Sequence, residues 1–197
     1  YYQDDGPEDS PPEDLASIPD AEPQVERLNP FANRPYTALG QTYTPMQELK
    51  PYSKEGRASW YGKKFHGKRT SSGDIYDMYR MTAAHPTLPI PSYARVTNLA
   101  NNQTVVVRIN DRGPFHRERL IDLSYTAAWK LGYINQGSAS VLVESIVPEE
   151  IELVKQIGKD KPRPSKTTAV ATATPSTAAT TGPTPQADAK PDSGVYL

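Results

Sequence analysis

The feature that most limits what this chain can fold into is the sharp change of composition along its length. Residues 1–26 contain nine acidic residues and five prolines but no lysine or arginine, and such a segment has too little apolar surface to offset the entropy of ordering it. Residues 159–193 consist mostly of threonine, alanine, proline and serine, which is typical of linkers. The hydrophobic core must therefore come from roughly 90 residues in between, enough for one small domain.

The chain accordingly divides into segments with different expected behaviour. We expect an acidic, proline-rich, disordered tether at residues 1–28 and an arm that packs on the core at 29–50. The folded domain is expected at 51–150, followed by a linker at 151–193. Residues 54–147 carry 13 basic and seven acidic side chains, although the whole chain has a net charge of only −1.

Residue counts and missing motifs exclude several classes of site. The 197 residues include no cysteine, which excludes disulfides, cysteine-based zinc sites and thiol nucleophiles. The three histidines are 19 and 31 residues apart, a spacing that does not indicate a metal site. Nucleotide-binding and serine-hydrolase motifs are absent, and the net charge gives no case for nucleic-acid binding. We therefore expect no metal, no cofactor and no nucleic-acid partner.

Strand patterns dominate the expected domain. Alternating apolar and polar residues predict strands in four segments: 57–61, 93–98, 104–109 and 141–146. A short helix is predicted from Ser124, a favourable N-cap, to Gly132, a favourable stop. Many short strands with one or two short helices indicate a mostly β fold that closes into a small barrel, because closure removes exposed sheet edges.

An acidic residue at the end of a predicted strand is the first candidate for catalysis. The strand ends at Asn110, Asp111 and Arg112, and Gly113 with the following proline turns the chain. A carboxylate at the tip of a packed strand is held in place while its oxygens reach a cleft. The same pattern is also typical of a surface turn capped by Asp111 and paired with Arg112, so both interpretations stay open on the residues alone.

A polar loop and a histidine supply two further candidates. Asp74 lies in the loop 70–77, and a second carboxylate near the first would favour keeping one of them protonated, as sugar-cleaving sites require. His85 precedes a proline, which restricts its backbone to extended conformations. Three aromatic residues offer flat surfaces for sugar rings: Trp60, Tyr61 and Tyr76. On the residues alone, a solvated turn is the better explanation for Asp74, and a lone histidine such as His85 is more often structural than catalytic.

Six motifs, in this order, resemble those of the rare lipoprotein A family, the septal endolytic peptidoglycan transglycosylases of Gram-negative bacteria. They are GRASWYG at 56–62, FHG at 65–67, TAAH at 82–85, VTNL at 96–99, RINDRGP at 108–114 and IDLS at 121–124. The resemblance covers about residues 56–147. It implies a six-stranded double-psi β-barrel with one or two short helices, flanked by disordered tails.

The resemblance also assigns roles to individual residues. It implies that Asp111, Asp74 and His85 are catalytic, although this family more usually has Glu at the position of Asp74. Five residues become candidates for substrate contact: Asn110, Tyr61, Tyr76, Trp60 and Arg112. We expect the Arg112 side chain to point away from Asp111, towards Asp122 or a carboxylate of the glycan, because a nearby positive charge would lower the pKa of a catalytic acid.

The activity implied is lytic cleavage of the β-1,4 bond between N-acetylmuramic acid and N-acetylglucosamine in peptide-free glycan strands, leaving 1,6-anhydro ends. The resemblance further implies a periplasmic lipoprotein, attached to the outer membrane through a lipid anchor upstream of this chain and concentrated at the septum with division-site proteins. Residues 194–197 are expected to begin a peptidoglycan-binding SPOR domain. Two alternatives stay open: an expansin-like module that binds wall glycan without cleaving it, and a cellulase-like hydrolase.

Overall fold

The structure, a computed structural model, describes residues 5–7, 12 and 14–160. The strands in this part of the chain are β1 (Tyr36–Ala38), β2 (Gln41–Tyr43), β3 (Ser53–Tyr61), β4 (Thr82–Ala84), β5 (Ser92–Asn98), β6 (Thr104–Asp111), β7 (Ile121–Ser124) and β8 (Ala139–Ile146). The helices are α1 (Tyr125–Lys130) and α2 (Pro148–Asp160), and Leu15–Ser17 form one 3₁₀ turn. The predicted linker after residue 160 and the predicted domain start at 194–197 lie outside the described residues.

Six of these strands close into a barrel. Their order around it is β3-β7-β4-β6-β5-β8, and β8 pairs back onto β3. The β3–β7 and β4–β6 pairs are parallel, whereas the other pairs in the barrel are antiparallel. β1 and β2 form a separate hairpin. The mostly β barrel with two short helices that the sequence predicts is confirmed.

The hairpin of β5 and β6 shows how the alternating pattern builds the core. Val96 pairs with Val105 and Ala94 with Val107, and all four side chains are almost fully buried. Burying each valine stabilises the fold by about 1.5–3 kcal/mol. In the turn, Asn102 has a φ of +59°, a left-handed conformation that asparagine tolerates. The predicted hairpin is confirmed.

Helix α1 begins and ends where the sequence predicts. The Ser124 hydroxyl accepts a hydrogen bond from the Ala127 amide at 3.3 Å, which satisfies one of the free amides of the first turn. At the other end, Gly132 has a φ of +75°, and its amide donates to the Trp129 carbonyl at 2.9 Å. Ala127 and Ala128 are fully buried, so the helix packs its small side chains onto the barrel.

Residues 14–28, the continuous described part of the segment expected to be a disordered tether, pack on the barrel. Leu15 is buried in the core, and the Val106 amide donates to the Asp20 carboxylate at 2.9 Å while its carbonyl accepts from the Ala21 amide at 3.0 Å. On the β6 side, the pairing with β4 is limited to residues 108–111. Because β4 is too short to reach Val106, the acidic segment supplies the hydrogen bonds that a longer strand would have made.

The arm at residues 29–50 lies against the loop that follows β4. The Asn29 amide donates to the Ile90 carbonyl at 2.8 Å. The side chain of Asn33 makes two further bonds to Ile90: its Nδ2 donates to the Ile90 carbonyl at 2.7 Å, and its Oδ1 accepts from the Ile90 backbone amide at 2.9 Å. Further along the arm, the Met46 amide donates to the Thr87 carbonyl at 2.8 Å. These bonds fix the loop 85–91 from its outer side.

Helix α2 occupies the start of the segment predicted as a linker. Glu149 and Glu150 lie in its first turn, where negative charge favours a helix, and Ile151 packs against Tyr93 and Ile146. Together with the ion pair of Arg95 and Glu150, this contact attaches the start of α2 to the barrel. Within the described residues, no helix has the length and apolar character needed to cross a bilayer.

Candidate active site

Parallel pairing of β4 and β6 brings the ends of these two strands together. Ala84 pairs with Asp111, and the His85 amide donates to the Asp111 carbonyl at 3.1 Å. Immediately afterwards Gly113 has a φ of +123°, a conformation essentially restricted to glycine, which turns the chain away from the barrel. Asp111 thus stands at the rigid strand end expected from the sequence.

One oxygen of the Asp111 carboxyl group carries the hydrogen bonds. Oδ1 accepts from the Ser71 amide at 2.9 Å, from the Ser71 hydroxyl at 2.7 Å and from the Arg112 amide at 2.8 Å. Among the described residues, no hydrogen bond reaches Oδ2. The side chain is partly buried. One oxygen is therefore fixed by protein and the other can approach a ligand.

Asp74 lies on the same loop as Ser71 and is held in an ion pair. Its Oδ2 accepts from Arg108 Nη1 at 2.7 Å and from the Ser72 hydroxyl at 2.8 Å. Partial burial raises the pKa of Asp74, but the hydrogen bonds from Arg108 and Ser72 outweigh it and leave the pKa below its ordinary value. Asp74 is therefore ionised at neutral pH and acts as a fixed negative charge.

The two carboxyl groups are linked through neighbouring residues of one loop. Ser71 binds Asp111, the next residue Ser72 binds Asp74, and the Ser72 amide donates to the Asn110 carbonyl at 3.1 Å. This last bond docks the loop on the end of β6. The structure thus brings Asp74 to the strand end that carries Asp111, as the sequence predicted, but with serine hydroxyls between them.

The imidazole ring of His85 is buried and engaged. Its Nδ1 accepts from the Thr87 amide at 3.1 Å and the Leu88 amide at 2.9 Å, so the proton sits on Nε2, which lies 3.2 Å from the Tyr52 hydroxyl. Burial, together with the positive charge of Arg112, lowers the pKa of His85 to about 3. The ring is neutral and holds the turn 85–88, and it is the backbone of His85 that contacts Asp111.

We expect the stability of the fold to depend on pH through His85. An unfolded histidine has a pKa near 6.5, whereas the pKa of His85 in the folded chain is about 3. The unfolded state therefore takes up the proton first, so the stabilisation is complete above about pH 6.5 and is lost as the pH falls towards 3. His85→Asn keeps an acceptor for the two amides and should reduce this loss by about 1.4 kcal/mol per pH unit, measured by urea unfolding between pH 7 and 4.

His116, one of the two exposed histidines, provides the matched control for this experiment. Comparing His85→Asn with His116→Asn separates the effect of removing the buried ring from that of removing an exposed histidine. If His85→Asn and the parent chain lose stability with the same slope, the neutral buried imidazole is not the group responsible.

Arg112 holds the arm and the loop after β4 onto the strand end. Its Nε donates to the Ala32 carbonyl at 3.0 Å, Nη1 to the carbonyls of His85 at 3.0 Å and Leu88 at 2.6 Å, and Nη2 to Asn33 Oδ1 at 2.8 Å. Burial lowers the pKa of Arg112 to about 10, and the group stays charged at neutral pH. Most of its donors are therefore used within the protein, next to Asp111.

The aromatic residues predicted to contact sugar lie inside the protein instead. Trp60, Tyr61 and Tyr76 are each no more than 5% exposed. Residues 58–61 of β3 are all buried, and the Trp60 ring packs edge-on against Tyr125 with centroids 5.6 Å apart. The rings of Tyr61 and Tyr76 stack at 4.1 Å, and the Tyr76 hydroxyl donates to the Tyr61 carbonyl at 2.5 Å. These rings support the site rather than presenting a flat surface to a ligand.

A groove of about 1020 Å³ runs along the outer face of β6. Asp74, Arg108 and Asn110 contribute to its lining, and residues of the segment 18–26 form part of its wall. Asn110 is largely buried, and its side chain contributes to the lowered pKa of Asp74. Asp111 follows Asn110 directly along β6 but is not part of this lining.

Sequence reasoning missed two residues of this groove, Arg108 and Glu26. Nε and Nη2 of Arg108 donate to Oε1 and Oε2 of Glu26 at 2.8 and 2.9 Å, and the Tyr93 hydroxyl donates to Oε1 at 2.6 Å. The hydrogen bond from Arg108 holds the pKa of Glu26 below its ordinary value. Outward alternation along β6 could have indicated Arg108, but Glu26 belongs to the segment expected to be disordered and gave no signal.

Asp122 is a further buried carboxyl group at this end of the barrel. Ala84 pairs with Asp122 on one side and Asp111 on the other. Burial raises the pKa of Asp122 to about 6, although Arg119, with Nη2 3.5 Å from Oδ2, opposes the effect. The expectation that Arg112 points towards Asp122 was wrong, because the backbone acceptors around Arg112 hold it elsewhere.

The site contains the partly buried carboxyl group of Asp111, whose Oδ2 has no hydrogen bond from a described residue, and the ionised carboxylate of Asp74. The Arg108 side chain, which binds Asp74, lines the groove. Such a set can transfer a proton and stabilise a developing positive charge. Across the described residues, no three acidic or histidine side chains are grouped so that they could hold a metal ion.

Comparison with known proteins places the barrel in an established family. Residues 53–143 match the family model of the double-psi β-barrel described as lytic transglycolase. Three similar proteins each bear the name endolytic peptidoglycan transglycosylase RlpA. The one from Pseudomonas aeruginosa is 57% identical over 135 residues, which are 68% of this chain and 39% of the relative.

The other two relatives agree. The protein of Neisseria meningitidis is 55% identical over 129 residues, 66% of this chain and 54% of the relative, and that of Vibrio cholerae is 50% identical over 153 residues, 78% of this chain and 55% of the relative. The chain thus spans about half or less of the length of these relatives. The family model covers most of the barrel, including His85 and Asp111, and these relatives are 50–57% identical to the chain. The chain belongs to the rare lipoprotein A family.

Proposed function

We propose that the chain is an endolytic peptidoglycan lytic transglycosylase that cleaves the bond between N-acetylmuramic acid and N-acetylglucosamine in peptide-free glycan strands. The observation that carries the proposal is the Asp111 carboxyl group. Three hydrogen bonds fix Oδ1 at a strand end, while no described residue binds Oδ2. The preceding residue, Asn110, lines a groove of about 1020 Å³. The names of the relatives support the same activity.

One carboxyl group suffices for this reaction because no water molecule is consumed. Asp111 donates its proton to the glycosidic oxygen, and the bond from that oxygen to C1 of the muramic acid breaks. The carboxylate then accepts the proton of the C6 hydroxyl of the same sugar as O6 bonds to C1. The proton of O6 thus replaces the one given to the leaving oxygen, and the catalyst is regenerated. Hydrolases instead use a second carboxylate to activate water or to form a covalent intermediate.

The other residues support this step from fixed positions. The ionised Asp74 supplies negative charge at the strand end where positive charge develops on the sugar ring. His85 holds the turn beside the Asp111 backbone, and Arg112 fastens that turn to the arm. In this proposal Asp74 and Asp111 act on the reacting sugar, whereas His85 and Arg112 are positioning residues.

Product analysis tests the reaction type directly. The chain should convert peptide-free glycan strands into fragments that end in 1,6-anhydro-N-acetylmuramic acid, which mass spectrometry identifies because they are 18 Da lighter than hydrolysis products, the mass of one water molecule. Fragments with reducing ends would support a cellulase-like hydrolase instead. Binding to the strands without any new ends would support an expansin-like module.

We also propose that the complete protein is an outer-membrane lipoprotein of the periplasm that acts during cell division, with a SPOR domain following the linker. Membership of the rare lipoprotein A family supports this proposal. Membrane fractionation of cells that express the full gene, together with fluorescence imaging of dividing cells, tests it. A soluble protein, or one spread evenly around the cell, would contradict it.

A further inference from the structure

Arg108 holds two carboxylates on different edges of its guanidinium group. Nη1 binds Asp74, while Nε and Nη2 form a two-pronged pair with both oxygens of Glu26. Such parallel pairs are the geometry with which arginine selects planar carboxylates. The Asp74 bond belongs to the site itself. The Glu26 bond comes from a segment 82 residues away in sequence.

The segment that carries Glu26 is held by contacts that can be exchanged. Val106 and Lys130 bind Asp20, and the Arg108–Glu26 pair is itself about one quarter exposed. The Tyr93 hydroxyl is the other donor to Glu26 among the described residues, and both partners of the Arg108–Glu26 pair line the groove, where a ligand can reach them. An anionic ligand entering the groove can therefore compete with Glu26 without unfolding the barrel.

We propose that Arg108 recognises the carboxylate of a muramic acid in the glycan, and that Glu26 occupies this position in the free protein. The inference rests on the proposed function and adds to it the substrate group that the groove recognises, the carboxylate of muramic acid. The lactyl group of a peptide-free muramic acid is a free carboxylate, whereas a stem peptide turns the same group into an amide. Arg108 thus provides a physical reason for choosing strands without peptides.

The exchange leaves the opposite edge of Arg108 undisturbed. Nη1 can keep its hydrogen bond to Asp74 at 2.7 Å while Nε and Nη2 pass from Glu26 to the ligand. The ionised state of Asp74 is then preserved when substrate binds. Arg108 is a specificity-determining residue, and Glu26 is its competitor within the chain.

Binding to a chain that does not cleave separates this inference from the proposed function. Asp111→Asn is the background, and the probes are peptide-free glycan strands and the same strands after conversion of their carboxylates to amides. Amidation should weaken binding about 10-fold, the expected loss for one charge-assisted hydrogen-bonded pair. In this background, Arg108→Gln should bind both strands equally, and Glu26→Gln should bind the unmodified strands several-fold more tightly.

The matched control is the ion pair of Arg95 and Glu150 on β5 and α2, which is outside the groove lining. Arg95→Gln and Glu150→Gln should leave both affinities unchanged. Equal binding of the two strands by the background chain would overturn the inference, as would weaker binding after Glu26→Gln. Absence of anhydro products from the parent chain would refute the proposed reaction, while a preference for unmodified strands that depends on Arg108 would still support the recognition.

Discussion

Replacing Asp111 with asparagine should reduce the cleavage of glycan strands by at least about 100-fold, the usual contribution of a general acid–base group. An amide oxygen can still accept hydrogen bonds from Ser71 and the Arg112 amide, so the strand end should keep its geometry. The amide cannot exchange a proton with the glycosidic oxygen. The rate at which anhydro ends form, compared at equal protein concentration, measures the effect.

Thermal unfolding and strand binding should stay close to those of the parent chain, which separates lost chemistry from lost structure. The matched control is Glu55→Gln, which neutralises an exposed carboxylate on β3 and should cleave at the parental rate. If Asp111→Asn keeps more than half of the activity, another group must move the proton, and Asp122 is then the candidate to test because burial raises its pKa to about 6.

Replacing Arg112 with lysine should destabilise the fold by about 3 kcal/mol, since several buried acceptors would lose their donors. The planar group of Arg112 reaches the arm and the loop after β4 at once, and a single ammonium group cannot replace those directions. The midpoint of urea unfolding should fall, and cleavage should fall with it because the turn beside Asp111 loosens.

Arg57→Lys is the matched control, because Arg57 makes one exposed hydrogen bond to Ser138 and should cost less than about 0.5 kcal/mol. This comparison also decides between two roles for Arg112. A variant that unfolds like the parent chain but needs more glycan to reach half its maximal rate would show that Arg112 binds substrate, as the sequence suggested.

Local patterns made much of the barrel predictable. The alternation in 93–98 and 104–109 gives the hairpin its register, because only one pairing buries Val96 against Val105. Ser124 and Gly132 mark the ends of α1 through hydrogen bonds and a φ value that depend on those residue types. The position of Asp111 also followed from the sequence, since the strand pattern stops there.

Other features depend on contacts between distant residues, which composition does not reveal. Segment 14–28 looks disordered by its charge, yet Asp20 and Glu26 find donors on β6. Arg112 carries the charge expected of a ligand-binding residue, but burial by the arm directs it to carbonyl groups. Trp60 lies in a part of β3 where consecutive residues 58–61 are all buried, so its burial depends on the elements that cover both faces of the strand and not on alternation.

The three-residue length of β4 has a consequence for how this protein can be handled. Without residues 14–28, Val106 would present an unmet amide and carbonyl along the barrel wall. Exposed backbone groups of this kind favour aggregation, since they can form hydrogen bonds with a strand of a neighbouring molecule. A shortened version that begins at the barrel would therefore be prone to self-association. Residues 14–28 prevent this by binding the backbone of Val106.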